Sequence, residues 1–304
     1  MRGGLSTAAA TVASIGAACA AYATLVERRW YRVRRDELDG ALTSNAERPL
    51  RLLLVADLHL SPPDLPLQMF LAELDASDID LVVAAGDLVG APGAEHATVA
   101  ALAPLTEGGL PGVAVLGAND LYAPVPKNPL SYLTHPDRRE FGPRLNTDAL
   151  RDGLHTTGWT TLVDERATIP TAAGPVEVAG LLDPHLPSSR LPPRTTIAAR
   201  DPEAVARLGI VHAPYTSALD LLTSAGYAVI LAGHTHGGQV RVPGIGAVVT
   251  NCDLPTHQAR GTSRWPGPEG RNAWLHVTAG VGQSRYAPFR FGCRPEVSVL
   301  ELHR

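Results

Sequence analysis

The chain has 304 residues, 45% of them hydrophobic and 18% charged, with a formal net charge of -4. That balance excludes an intrinsically disordered chain and disfavours an electrostatic nucleic-acid binder, and the length fits one large domain or two modest ones. Three cysteines, Cys19, Cys252 and Cys293, are too few and too scattered for a disulfide framework or a CxxC zinc site, so metal chemistry would have to use nitrogen and oxygen ligands.

From Gly3 to Val26 no residue is charged, a run of 24 positions. At about 1.5 Å rise per residue, a helix of that length spans a hydrocarbon core of roughly 30 Å. Most of its members are Ala, Gly, Ser and Thr, with Leu5, Val12, Ile15, Leu25 and Val26 strongly apolar, so insertion is energetically marginal. The expectation is a single N-terminal membrane anchor over residues 3–26. Competing readings are a cleaved signal peptide, with small residues at 18–23, and a lipoprotein signal ending at Cys19. Arg28, Arg29, Arg32, Arg34 and Arg35 follow the run, whereas only Arg2 precedes it. Positive-inside bias then favours a cytoplasmic-facing body over an exported one, unless these arginines simply decorate a first strand.

Residues 27–49 read as a linker and first strand, ahead of a folded domain over 50–304. Leu50 to Ala56 is an apolar run broken only by Arg51, ending at Asp57-Leu58-His59, which predicts a buried strand. Leu67 to Leu74 has helical spacing. Ile79 to Ala85 is a second apolar run ending at Gly86-Asp87, and Leu110 to Leu116 a third, ending at Gly117-Ala118-Asn119-Asp120. From Leu121 to Gly158, Pro and polar residues predominate, which predicts a long surface excursion or lid. Farther on, Gly209 to Val211 leads into His212, and Tyr227 to Ala232 into Gly233-His234-Thr235-His236-Gly237-Gly238. Alternating strands and helices of this length predict an α/β fold with a strong parallel component.

In such sheets ligands gather at the carboxyl ends of strands. The strand-end residues Asp57, His59, Asp87, Asn119, His212, His234 and His236 supply two carboxylates, four imidazoles and an amide. That inventory suits two divalent cations sharing a bridging carboxylate, because hard oxygen and borderline nitrogen donors together hold Mn, Fe, Zn or similar ions. Asp57 and His59 alternate along an extended backbone, as do His234 and His236, so each pair can face one site. Each motif alone has a bland reading: an exposed turn for Asp57-x-His59, or a helix cap for Gly86-Asp87. Their joint occurrence in this order is what carries the metal reading.

Taken together, the motifs resemble those of the calcineurin-like metallophosphoesterases across nearly all of residues 50–300. The Gly233-to-Gln239 run, the Gly280-Val281-Gly282 turn and Phe291-Gly292-Cys293-Arg294-Pro295-Glu296 resemble a branch often membrane-anchored or exported. The resemblance implies a two-sheet αββα sandwich. It implies Asp57, His59 and His236 on a first metal, Asp87 as the bridge, and His212, His234 and Asn119 on a second. It also implies hydrolysis of a phosphodiester, phosphomonoester or lipid-linked pyrophosphate by in-line attack of a metal-bridging hydroxide.

The third motif departs from the family. Gly-Asn-His-Asp or Gly-Asn-His-Glu is usual, whereas this chain reads Gly117-Ala118-Asn119-Asp120. A one-residue shift keeps Asn119 as a ligand and puts Asp120 where the catalytic His belongs, so Asp120 and Asn119 are the expected catalytic positions. A missing proton donor costs roughly 10²–10⁴-fold for a poor leaving group. Asp120 with a raised pKa, or another imidazole such as His185, are the possible replacements. The alternative to an enzyme is a catalytically weak metal-binding sensor or scaffold at the membrane. Arg285, Arg290 and Arg294 are weighed as phosphate contacts against surface ion pairs. His96, His135, His155, His257, His276 and His303 are assigned to surface or core packing.

Overall fold

The computed structural model describes residues 2–126, 140–187 and 189–304. The three early apolar runs form β2 (Leu50–Val55), β3 (Leu81–Ala85) and β4 (Gly112–Val115), paired in parallel. With β1 (Arg32–Leu38), β5 (Trp159–Thr161) and β14 (Glu296–Leu302) they make a six-stranded sheet of order β1-β14-β2-β3-β4-β5. The second six-stranded sheet has the order β12-β13-β9-β8-β7-β6. Its members are β6 (Glu165–Thr171), β7 (Gly174–Gly180), β8 (Ala206–Val211), β9 (Val229–Ala232), β12 (Gly261–Pro266) and β13 (Asn272–Val277), while β10 (Arg241–Val242) and β11 (Gly246–Ala247) form a separate hairpin.

The runs are continuously apolar because both faces of each sheet are covered. With the two-residue alternation of a strand, Leu52 and Leu54 of β2 pack between the sheets with Val178, Leu208 and Ile210. Leu53 and Val55 point the other way, to Leu67 and Leu71 of α2 (Leu65–Ala72) and Leu102 of α3 (Glu95–Leu102). On the far side, Val211 and Ile230 meet Leu219 and Leu222 of the helix Thr216–Ser224. The result is four layers, helix, sheet, sheet, helix. Truncating one of these central leucines to Ala would cost about 2–5 kcal/mol. Edge strand β1 is instead charged, with Arg32 paired to Glu296 and Arg34 to Asp36, which suits an exposed rim.

Part of the expected lid belongs to the core. Thr147–Thr156 is a helix capped by the Asn146 side chain, and its Leu150 and Leu154 are fully buried. Leucines four apart on one helical face account for this, outweighing the polar average of the segment. Residues 127–139, including His135, lie outside the described residues.

At the amino end, α1 (Arg2–Ala21) runs on through a π-helical turn, Tyr22–Val26, and a 3₁₀ turn, Glu27–Arg29. The stretch Ala10–Arg29 is long and apolar enough to cross a membrane, and Val12, Ile15 and Leu25 are 60–71% exposed. Its far end is tied to the body. The Ala23 carbonyl accepts the Arg290 amide at 3.1 Å, and the Glu27 carboxylate accepts the amides of Gly292 (2.9 Å) and Cys293 (2.6 Å).

Candidate metal centre

Five parallel strands deliver the polar residues: β2 leads to Asp57 and His59, β3 to Asp87, β4 to Asn119, β8 to His212, and β9 to His234 and His236. Tight turns follow each strand, and the ligand candidates themselves absorb the strain. Asp57, His59, Asp87, His234 and His236 all have φ between 43° and 69°. Such left-handed torsions cost non-glycine residues on the order of 1 kcal/mol each and persist where the surroundings hold them. Two glycines permit the crowding. A Cβ on Gly86 (φ +82°) would lie 2.8 Å from His212 Nδ1, and one on Gly233 2.7 Å from Asp57 Oδ2.

Two sets of donor atoms converge, Asp57 with His59 and His236, and Asp57 with Asp87 and His212, each set within 4.8 Å. The Nε2 atoms of His59 and His236 face each other at 3.2 Å, with Asp57 Oδ1 3.7 Å from the latter. Asp87 Oδ2 lies 3.2 Å from His212 Nε2 and 3.6 Å from His59 Nε2, so it also reaches between the two sets. Asn119 approaches from the same side, its backbone and side-chain amides donating to Asp87 at 2.8 and 2.6 Å.

Three of the four imidazoles have a second partner. His212 Nδ1 donates to the Ala85 carbonyl at 2.7 Å, which leaves Nε2 to face Asp87. His234 Nε2 donates to the Asn251 carbonyl at 3.1 Å, which assigns the lone pair to Nδ1. Beside His236 Nδ1, at 3.3 Å, is the guanidinium of fully buried Arg290, which also donates to the carbonyls of Ala279, Gly280 and Gly282.

Burial dominates the protonation of the centre. It pushes Asp57 up to about 7 and His59 down to about 4, and holds His236 well below the imidazole range. For His212, burial opposes the charge but the carboxylates of Asp87, Asp183 and Asp57 outweigh it, so its pKa is raised well above the ordinary value. Asp87 is correspondingly low: burial opposes its charge, and His212 and His59 overcome that opposition. Among the described residues, His59 Nδ1 is buried without a hydrogen-bond partner. Two carboxylates, neutral imidazoles whose nitrogens crowd one gap, and an orphaned imidazole nitrogen fit divalent cations of the Mn, Fe or Zn type.

Asp120, the expected catalytic position beside Asn119, is taken up by backbone amides. Its Oδ1 accepts the amides of Leu88 (2.7 Å) and Val89 (2.9 Å), its Oδ2 that of Gly117 (2.9 Å), and it is 1% exposed. Burial first, and then Asp87, raise its pKa to about 7, but the carboxyl staples two loops together behind the ligands. His185, by contrast, lines the cavity above the donors, with its ring 4.8 Å from that of His234 and Nδ1 3.1 Å from the Tyr215 hydroxyl. The three carboxyl-terminal arginines make contacts within the chain. Arg290 braces the His236 loop, Arg294 donates to the Trp30 and Tyr31 carbonyls, and Arg285 lies over the Tyr286 ring. Asp183 went unnoticed in the sequence. It is fully buried and accepts the amides of Ala118 and His185, both at 2.9 Å. No local motif marks it.

The sequence pattern of the family described as calcineurin-like phosphoesterase matches residues 50–238, which include all seven candidate ligands. The chain belongs to this family. As a calcineurin-like phosphoesterase it is a hydrolase of phosphate esters. Phosphodiesterase YaeI of Escherichia coli (strain K12) is 28% identical over 308 residues, spanning 98% of this chain and 97% of its own. Among solved structures, NAD nucleotidase of Haemophilus influenzae aligns at 11% identity and a TM-score of 0.48, over 77% of this chain and 45% of its own. Phosphopantetheinyl hydrolase of Mycobacterium tuberculosis aligns at 13% identity and 0.42, over 80% of this chain and 95% of its own.

Proposed function

We propose that this calcineurin-like phosphoesterase hydrolyses phosphodiesters with two divalent cations, tethered to a membrane through residues 3–26, with residues 50–304 as its catalytic domain. The observation that carries the reading is the pair of donor sets within 4.8 Å, joined through Asp57 and spanned by Asp87. The diester preference draws on the relative named a phosphodiesterase. The cytoplasmic side remains the orientation favoured by the arginines after the apolar run.

Asp57, His59 and His236 would hold one cation, and His212, His234 and Asn119 the other, with Asp87 shared. Bound cations would supply Lewis acidity toward phosphoryl oxygens and toward water. The chain's own contribution is geometric and electrostatic. The Ala85 and Asn251 carbonyls fix the tautomers of His212 and His234. His185, at the cavity wall, takes the place of the imidazole missing from the third motif and serves the departing oxygen.

Purified protein supplied with Mn²⁺ should turn over bis(p-nitrophenyl) phosphate faster than p-nitrophenyl phosphate. Failure to hydrolyse either ester with any divalent metal would leave the sensor or scaffold reading, which the altered third motif favours.

A further inference from the structure

The cavity above the donors does not end at the protein's polar surface. It shares two residues, Val240 and Phe289, with a second cavity of about 410 Å³. The opposite wall of that second cavity is the amino-terminal helical segment, through Cys19, Ala20, Ala23 and Thr24, and Phe291 completes it. Its lining is apolar. Thr24 turns its hydroxyl back onto the Ala20 carbonyl at 2.7 Å, leaving its methyl group for the groove. The helix cannot simply drift away, because Ala23 and Glu27 are bonded to the Arg290–Cys293 loop. The donor cavity also carries exposed apolar residues: Val248 and Tyr286 line it and are 50% and 45% exposed, and Ile245 on the adjoining hairpin is 76% exposed.

A small hydrophilic diester would leave this groove unused and its apolar walls wet. A phosphoester carrying a hydrocarbon tail would place its headgroup over the donors and its tail, past Val240 and Phe289, along the helix. We infer that the groove between the amino-terminal segment and Phe291 is the tail subsite for an amphipathic phosphoester, delivered from the bilayer along the anchor itself. The inference rests on the hydrolase reading and names its substrate class. Val240 and Phe289 form the threshold between headgroup and tail.

The test uses the full chain in nanodiscs with Mn²⁺ and a series of alkyl p-nitrophenyl phosphodiesters, methyl to octyl, below micelle-forming concentrations. Each buried methylene favours binding by a factor of about 4, so partial burial of an octyl chain should raise kcat/KM over the methyl ester by on the order of 100-fold. Ala20→Phe fills the groove from an exposed helix position and should reduce that octyl-to-methyl ratio by about tenfold or more. Comparison within the same nanodiscs cancels partitioning into the lipid. A second readout needs no turnover: Phe291→Trp fluorescence in metal-free protein should be quenched by dibromo-octadecyl phosphate more than by dibromo-lipid of the disc alone. An octyl-to-methyl ratio that Ala20→Phe leaves unchanged overturns the tail subsite, as does absence of that extra quenching. If no ester in the series is hydrolysed, the hydrolase reading fails, and the quenching still decides whether the groove takes an amphipathic phosphate.

Discussion

The two sheets bring different chemistry to one centre. From the first come both carboxylates and the amide, Asp57, Asp87 and Asn119, with a single imidazole, His59; from the second come imidazoles alone, His212, His234 and His236. Each set is braced by backbone from the other sheet. Asp57 accepts the His234 amide at both oxygens, 3.1 and 2.9 Å, while His212 donates across to the Ala85 carbonyl that ends β3. The donors of each sheet are thus held by hydrogen bonds from the other. The carboxylates supply charge and the imidazoles supply geometry.

The sharpest way to break this division is Asp87→Ala. It deletes the carboxylate whose Oδ2 lies near both His212 and His59, and should lower kcat/KM for bis(p-nitrophenyl) phosphate by on the order of 10³-fold or more. His236→Ala, on the imidazole side, should cost less in kcat than in metal affinity, as steady-state kinetics across a Mn²⁺ titration would read. Equal losses from the two would mean that charge and geometry are not divided between the sheets.

The replacement of the missing imidazole gives the next largest effect. His185→Gln should slow alkyl esters, with their poor leaving groups, by about 10²-fold while changing p-nitrophenyl esters little. A loss independent of the leaving group would return His185 to a packing role.

The pH dependence of metal binding follows from which donors carry protons. Without metal, His212 is protonated at neutral pH and Asp57 takes up a proton below about 7, whereas His59, at about 4, and His236 stay neutral. Cations must displace those protons, so affinity for Mn²⁺ falls as pH falls, by about tenfold per pH unit for each proton released. Calorimetry from pH 8 to pH 6 in buffers of different ionisation heat measures the count; a flat profile contradicts the assignment.

Asp120→Asn probes the staple behind the site. Each oxygen of Asp120 accepts at least one backbone amide, so an Asn NH₂ must face a donor, costing about 1–3 kcal/mol of stability. Thermal unfolding should register that loss, and the leaving-group dependence should not move.

How much of this was readable beforehand follows from the range of the forces involved. Strands buried on both faces produce unbroken apolar runs, so β2, β3, β4, β8 and β9 and the polar residues beyond them announce themselves. The groups that orient those residues do not. Asp183 and the Asn251 carbonyl act through contacts far away in sequence, and nothing local separates Arg290 from an exposed arginine. Asp120 neighbours Asn119 along the chain, yet its hydrogen bonds run 31 and 32 residues back to Val89 and Leu88. Leu150 and Leu154 were hidden by the polar residues around them.

Anomalous diffraction from Mn²⁺-loaded crystals tests the dinuclear centre most directly. Two peaks are expected, one about 2.0–2.3 Å from donor atoms of Asp57, His59 and His236, the other at that range from His212, His234 and Asn119, with Asp87 touching both. A single ion, or ions bound away from these side chains, contradicts the account.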